Sequence, residues 1–282
     1  MTTQIKQTIC YKLKAFSTFN FQLLIVLMLL AGCSKDEPDD NVPMVFFSTE
    51  DTPQAKVWDG EQIAVSINGA VAVPFTAASD GTLTPFVPVY WQTATQSITV
   101  KAWHPAEWTM QTDQSAEANY KAADFIFAPT TTIAYADRNT ANLTFSHKTA
   151  KVTATFTAGT GVTDLSGAAV SFLGFTSGTP NTDNGTITGS GNNWITPFVS
   201  GTNERTALLI PQDMTSKQFI RVTLDGGDYY YTPQPGETNL QAGKSYTYSI
   251  TVDRTTISVV LLQSNEMAWG EQEDTTVLGT VN

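Results

Sequence analysis

Residues 218–232, which read QFIRVTLDGGDYYYT, give the clearest indication of the fold. Two runs rich in β-branched and aromatic side chains, 218–224 and 228–232, flank the tetrapeptide DGGD at 225–228. A tight turn between two strands requires residues that tolerate positive φ, and glycine and aspartate are among the residues that do so. The segment therefore predicts an antiparallel β-hairpin.

Side chains of the same types recur in short clusters along the chain. Val, Ile, Phe, Tyr and abundant Thr suit a pleated sheet, and the Gly, Asn, Asp and Pro between them suit turns. No amphipathic helical pattern exceeds two turns, although residues 113–123 favour a brief helix. The sequence therefore predicts an all-β fold. Besides the hairpin, strands are predicted at 44–47, 63–67, 71–75, 98–103, 124–128, 142–145, 151–157, 170–175, 207–210, 245–252, 257–262 and 267–269, with a turn at 79–82.

Residues 176–193 consist mostly of Gly, Ser, Asn and Thr and offer almost no apolar side chain for burial. They indicate either a boundary between domains or a long loop within one domain. After this stretch, strands predicted at roughly ten-residue spacing favour a β-sandwich. We therefore expect two domains, at residues 43–178 and 185–282.

The first 32 residues have the composition of a secretory signal. Lys6, Lys12 and Lys14 make the start positive, and residues 21–31 (FQLLIVLMLLA) are almost purely apolar. A basic start, a short apolar run and small residues before a cleavage point are typical of a signal peptide. The apolar run is about half of the roughly 20 residues that a membrane-spanning helix requires. We expect residues 1–32 to be removed.

The segment Leu30-Ala31-Gly32-Cys33 resembles the lipobox of bacterial lipoproteins. The resemblance implies cleavage between Gly32 and Cys33 and acylation of Cys33, and more than one acyl chain is enough for a stable membrane anchor. Apart from this covalent lipid, no cofactor is expected. Residues 33–42 then form an acidic tether, which also resembles the export tag of lipoproteins displayed on the outer membrane of Bacteroides-type bacteria. Surface display is favoured over an anchor that faces the periplasm.

The charge and cysteine content exclude several classes of protein. Removing the three lysines of the signal leaves 12 basic and 26 acidic side chains, a formal net charge of about −14. Nucleic acid is not an expected partner, because binding it requires a cationic surface. Cys10, the only other cysteine, lies in the signal, so no disulfide can form within the mature chain.

Seven segments, taken in order, are similar to those of the fimbrillin family of Bacteroides-type bacteria, the subunits of type V pili and their anchor or tip relatives. They are VPMVFFST (42–49), WDGEQIAV (58–65), ITVKAWHP (98–105), ADFI (123–126), LTFSHKTAKV (143–152), ALLIPQ (207–212) and AGKSYTYSITV (242–252). The resemblance implies two tandem β-sandwich domains of transthyretin-like type. It also implies a structural or adhesive role in a fimbrium at the outer membrane, with other fimbrial subunits as partners. A host or bacterial surface ligand or glycan is left open as a further partner.

The resemblance further implies assembly by donor strand exchange, in which a first strand is cut off and a strand of the next subunit replaces it. The strand to be lost lies around residues 42–47, and Lys56 in the following loop is the expected site of trypsin-like cleavage. The donor is residues 276–281, whose apolar members are Val277, Leu278 and Val281. The better-known shaft subunits are cut after arginine. If Lys56 is not cut, Cys33 stays attached and the protein is a permanent anchor or surface lipoprotein.

Catalytic and metal-binding chemistry is not indicated. Ser146 and His147 are neighbours along a strand and therefore face opposite sides of the sheet, which excludes a triad that uses both. His104 and His147 are expected to be structural, with His147 buried and hydrogen-bonded. There is no metal-binding spacing of Cys and His, no phosphate loop and no calcium loop. We expect a protein that is not an enzyme.

Aromatic side chains leave one alternative open. Trp91, Trp103, Trp108, Trp194 and the run Tyr229–Tyr231 either pack inside a sandwich or form a face on which sugars stack. Within the run, the outer two tyrosines share one face of the sheet and Tyr230 takes the other, so at least one tyrosine is expected in the core. The alternative function is a surface glycan-binding lipoprotein that works beside a nutrient importer.

Overall fold

The hairpin predicted at residues 218–232 is present in the computed structural model, which describes residues 42–50 and 60–266. Leu224 lies opposite Gly227, so Asp225 and Gly226 alone form the turn. Their φ angles are 51° and 78°, and two positive values are what a type I′ turn requires. The all-β prediction is confirmed, since strands form most of the described structure.

Seven strands of the first part of the chain close into a barrel. They are β1 (Phe46–Glu50), β2 (Gln62–Ile67), β3 (Val73–Ala77), β4 (Thr82–Pro85), β5 (Ser97–His104), β6 (Ile126–Ala134) and β7 (Asn142–His147). Their order around the barrel is β1-β4-β3-β2-β5-β6-β7. The neighbouring pairs are antiparallel except for β1 and β7, which run parallel. The interior holds alternate side chains of each strand, among them Phe46, Ile63, Phe75, Leu83, Ile98, Leu143 and Phe145.

The rest of the described chain forms two larger sheets and one small one. Its strands are β8 (Ala150–Ala158), β9 (Ala169–Pro180), β10 (Ile187–Ile195), β11 (Phe198–Gly201), β12 (Glu204–Leu209), β13 (Gln212–Asp213), β14 (Ile220–Leu224), β15 (Gly227–Tyr231), β16 (Asn239–Leu240), β17 (Lys244–Val252) and β18 (Ile257–Glu266). The sheet orders are β10-β9-β14-β15, β11-β12-β8-β17-β18 and β13-β16. The two larger sheets contribute buried residues to one hydrophobic cluster, which is consistent with the predicted sandwich.

Helical structure is brief in the described residues. The helix favoured at 113–123 is α1 (Glu117–Ala122), in which Lys121 and Glu117 form an ion pair one turn apart. A 3-10 helix at Tyr135–Thr140 links β6 to β7. These short elements connect strands and leave the sheets as the framework of the fold.

The loop considered for residues 176–193 is instead a long hairpin. β9 and β10 pair from Pro180 opposite Ile187 to Phe172 opposite Ile195. The distal part of this hairpin consists mostly of Thr, Ser, Gly and Asn, so hydrophobic periodicity does not reveal it, and the backbone ladder carries much of the structure. The division into domains at 178 and 185 stays a prediction, although residues on both sides of it share one sheet.

The barrel and the second part of the chain are joined by packing and by hydrogen bonds. Phe125 and Phe127, which flank the start of β6, are buried in the hydrophobic cluster of the second part. Gln114 is fully buried, and its side-chain amide pairs with the backbone of Leu208 in β12. Its Nε2 donates to the Leu208 carbonyl at 2.8 Å, and its Oε1 accepts from the Leu208 N–H at 2.9 Å. The Gln114 side chain thus makes the two hydrogen bonds to the Leu208 backbone that a neighbouring strand would otherwise make.

We expect replacement of Gln114 by leucine to lower the free energy of unfolding by roughly 2–4 kcal/mol, because it leaves a buried N–H and a buried carbonyl without partners. Chemical denaturation of the full-length protein measures this change. The matched control is Gln234→Ala, at an exposed glutamine, which should change stability by less than about 0.5 kcal/mol. Equal stability of the two variants would contradict the assigned role of Gln114.

Candidate functional site

The first described strand, β1, lies in the seam of the barrel with its apolar side chains inside. Met44 and Phe46 are 3% and 0% exposed, and the ring of Phe46 packs 5.4 Å from that of Phe75. Residues of the predicted strand alternate as expected, since Val45 and Phe47 are only partly buried. The barrel core therefore contains side chains from the first described residues of the chain.

Backbone hydrogen bonds hold β1 on both of its edges. Phe47 N–H donates to the Ala141 carbonyl at 2.9 Å, and Ser48 N–H donates to the Gly81 carbonyl at 2.8 Å. The register pairs two residues of β1 with β4 and four with β7. Because β1 is only five residues long, a short ladder and a few buried side chains attach it to the barrel.

The sequence-predicted processing and lipid sites lie outside the described residues. These are the cleavage site at Gly32 and Cys33, the lipid on Cys33, the protease site at Lys56, and the donor residues Val277, Leu278 and Val281. Lys56 falls between Glu50, the last residue of β1, and Gly60, which precedes β2. All of these assignments stay predictions.

The tryptophans do not share one face. Trp91 and Trp108 are buried core residues, 3% and 6% exposed, and Trp103 is half-buried with its Nε1 bonded to the Ala106 carbonyl. Trp194 alone among these four meets a tyrosine of the run at 229–231. The predicted alternation of that run is confirmed, because Tyr231 is buried and Tyr230 is 40% exposed.

Trp194 and Tyr230 meet on the outer face of the sheet β10-β9-β14-β15. Their ring centroids are 5.9 Å apart with an interplanar angle of 36°. The Arg221 guanidinium lies 4.6 Å from the Trp194 ring centroid, at cation–π distance. Arg221 is paired with Tyr230 across β14 and β15 and with Ser171 on β9, to whose hydroxyl its Nη2 donates at 3.1 Å.

Asp228 completes this group of side chains. Its carboxylate accepts hydrogen bonds from the Thr223 hydroxyl at 2.5 Å and the Tyr230 hydroxyl at 3.3 Å. The Thr223 bond is the main cause that lowers the pKa of Asp228 below its usual value, and Tyr230 and Arg221 act in the same direction. Asp228 is therefore an exposed anion next to the Arg221 cation.

Sequence reasoning missed Arg221 and Asp228, although one signal was available. The turn at 225–226 sets the register of the hairpin, and that register places Arg221 opposite Tyr230. The approach of Trp194 from the far edge of the sheet depends on β9 and β10, whose pairing the sequence did not indicate.

Both histidines have structural partners. His147 is buried, and its Nδ1 lies 2.8 Å from the Asp124 carboxylate, as expected for a hydrogen-bonded core residue. His104 is partly exposed, with Nδ1 2.9 Å from the Gln62 carbonyl and Nε2 near Glu61. Among residues 42–50 and 60–266, no three His, Cys, Asp or Glu side chains form a group suited to a metal ion. In the same part of the chain, no helix is long and apolar enough to cross a membrane.

Solved structures with the same fold include two described as candidate cell adhesion proteins. A candidate cell adhesion protein from Bacteroides uniformis has a TM-score of 0.66 and 19% identity, and the match covers 82% of this chain and 99% of that one. Another from Bacteroides ovatus has a TM-score of 0.64 and 16% identity, covering 82% and 100%. At these identities the likeness shows the fold. No curated protein matches the chain.

A family model described as fimbrillin-like matches residues 41–265. The chain belongs to the fimbrillin-like family, as the resemblance of its sequence segments implies. Membership implies a cell-surface appendage and interaction with other fimbrial subunits.

We expect Phe46→Ala to lower the free energy of unfolding by roughly 3–5 kcal/mol in the uncut chain, because it opens a cavity in the barrel core. Denaturant unfolding, monitored by circular dichroism, measures the change in the free energy of unfolding. Phe86→Ala serves as the control, since Phe86 is 70% exposed and its removal leaves no cavity. If the two variants unfold alike, β1 does not contribute to the core as described.

Proposed function

We propose that the protein is a structural subunit or anchor of a fimbrium, exported as an outer-membrane lipoprotein through Cys33, and that it joins a neighbouring subunit by donor strand exchange. The observation that carries this proposal is the position of β1 in the seam of the barrel. A strand there is both part of the core and separable from it, because the chain connects it to the other described strands through the segment between Glu50 and Gly60.

Loss of β1 would leave two kinds of unsatisfied surface. The edges of β4 and β7 that face β1 would lose their backbone partners. The carbonyls of Gly81 and Ala141, which immediately precede these strands, would lose the N–H groups that donate to them. The pocket that holds Phe46 against Phe75 would lose its apolar occupant. Unpaired backbone and exposed apolar surface both favour the binding of a replacement strand.

The C-terminal tail supplies a strand of suitable pattern. If residues 276–281 are extended, Val277 and Val281 fall on one side of the chain, as Met44 and Phe46 do just before and at the start of β1, and Leu278 falls on the other. Backbone pairing gives such a strand affinity, and the alternate apolar side chains give it register.

Cleavage at Lys56 decides between the two roles. A cut there frees β1 together with the lipid-bearing Cys33, which suits a subunit that polymerises. An intact segment keeps Cys33 attached to the barrel, which suits an anchor. The surface glycan-binding alternative does not use this seam.

Cleavage is tested by mass spectrometry of the protein in surface assemblies. For a polymerising subunit we expect chains that begin at Val57, intact chains in Lys56→Ala, and normal cleavage in Lys56→Arg, because a trypsin-like protease accepts either basic residue. Lys35→Ala is the control at a lysine ahead of β1. Assembled chains that run uncut from Cys33 would overturn the role of Lys56 and leave the anchor.

Strand donation is tested by deleting residues 276–282. We expect the high-molecular-weight ladder of cell-surface material to disappear on gels of unheated samples, because each subunit would lack the strand that fills its neighbour. Replacing Val277 and Val281 by aspartate should give the same loss, since charges cannot occupy apolar pockets. An unchanged ladder in both variants would contradict the donor role of the tail.

A further inference from the structure

Trp194 and Tyr230, which we call the aromatic platform, are anchored on opposite edge strands of one sheet. Trp194 stands on β10 and Tyr230 on β15, with β9 and β14 between them. Three strand spacings separate the edges by about 14 Å, whereas the two ring centroids are 5.9 Å apart. Both side chains must therefore lean inward across the sheet, so that their rings cover its middle.

The platform faces away from the core. The neighbours of its residues along the strands, Ile195 and Tyr231, are buried at 0% and 4% exposure, and successive side chains alternate between faces. Tyr230 is 40% exposed and Trp194 is half-buried. With the guanidinium of Arg221 against the Trp194 ring, the indole is supported from within its own sheet. The rings thus offer a shallow apolar surface that is held in place.

A carboxylate with spare hydrogen-bonding capacity borders the platform. Asp228 is exposed and accepts one bond at each carboxylate oxygen, although two carboxylate oxygens have about four lone-pair sites. The Arg221 guanidinium donates to Ser171 through Nη2, and its Nε is enclosed by protein and out of a ligand's reach. The Asp228 carboxylate beside a stacking surface can accept hydrogen bonds from hydroxyl groups, while Arg221 supports the indole ring.

We propose that this face, formed by Trp194, Tyr230, Arg221 and Asp228, is a binding site for a neutral saccharide. A pyranose ring has an apolar C–H face, which the electron-rich faces of aromatic rings attract, and a rim of hydroxyls for the flanking carboxylate. The charges of Arg221 and Asp228 in this site compensate each other. The whole chain carries a net charge of −11, so the protein repels polyanions. Nucleic acids and polyuronates are disfavoured on the same ground.

This site is independent of the strand-exchange proposal. The barrel seam and the outer face of β10-β9-β14-β15 share no residue, so either proposal can fail while the other stands. In a surface appendage, the platform would give the subunit an adhesive function beyond its structural one.

Affinity electrophoresis of the full-length protein in detergent, through native gels that contain a polysaccharide, tests the proposal. The probes are mannan, xylan, a mixed-linkage β-glucan and galactan, with polygalacturonate as the anionic comparison. We expect at least one neutral polysaccharide to retard the protein. Trp194→Ala and Tyr230→Ala should each raise the polysaccharide concentration needed for half-maximal retardation at least tenfold.

Three further variants make the outcome specific. Asp228→Asn keeps the rings and should weaken binding threefold or more, whereas Phe86→Ala removes an exposed aromatic ring from the barrel and should leave it unchanged. Trp194→Phe retains a stacking ring, so partial binding by this variant together with unchanged melting temperatures separates lost contact from misfolding. The proposal is overturned if no neutral polysaccharide retards the protein, if only polygalacturonate does, or if Trp194→Ala binds as well as the wild type.

Discussion

Closure of the barrel by β1 is the interaction on which the first part of the structure depends. A sheet that curls into a barrel has no free edge only when its last two strands find a partner, and here β1 is that partner for both β4 and β7. It supplies backbone hydrogen bonds on each side and places Phe46 at the centre of the core. The first of the described strands is thus also the one that completes the barrel. For this reason we propose the seam as the point of exchange between chains.

The second part of the structure is held together by packing between open sheets and not by closure of a barrel. Its two larger sheets share one hydrophobic cluster, to which the barrel contributes Phe125 and Phe127. On the outer face of β10-β9-β14-β15, the exposed Tyr230 and the half-buried Trp194 lie beside Arg221 and Asp228. The strand exchange that we propose uses the barrel seam, and the saccharide binding that we propose uses this outer face.

Much of the fold could be predicted from local pattern. The hairpin at 218–232, the turn with Gly81 at φ 86° and the alternation of residues 44–47 between two sides all follow from residue type and strand periodicity, although only the structure shows that Met44 and Phe46 face the core. The hairpin of β9 and β10 could not be predicted in this way, because its distal part consists mostly of Thr, Ser, Gly and Asn and depends on backbone pairing. The same is true of the site. Arg221 opposite Tyr230 follows from one turn, whereas Trp194 reaches them only through the pairing of distant strands. Gln114 is missed for a related reason, since a side chain that substitutes for a strand has no periodic signature.

The tip of the β9–β10 hairpin reaches back to the barrel, and this has a mechanical consequence. Asp183 pairs with Lys101 on β5, and Gly185 lies so close to Phe127 that a Cβ there would come within 2.6 Å of the ring. With the Gln114 pair to Leu208, the two parts of the fold are cross-braced at separate points. A hinge motion between the two parts would have to break these contacts together, so the contacts oppose it. In an extended appendage, they would hold the two parts of each subunit in a fixed relative orientation.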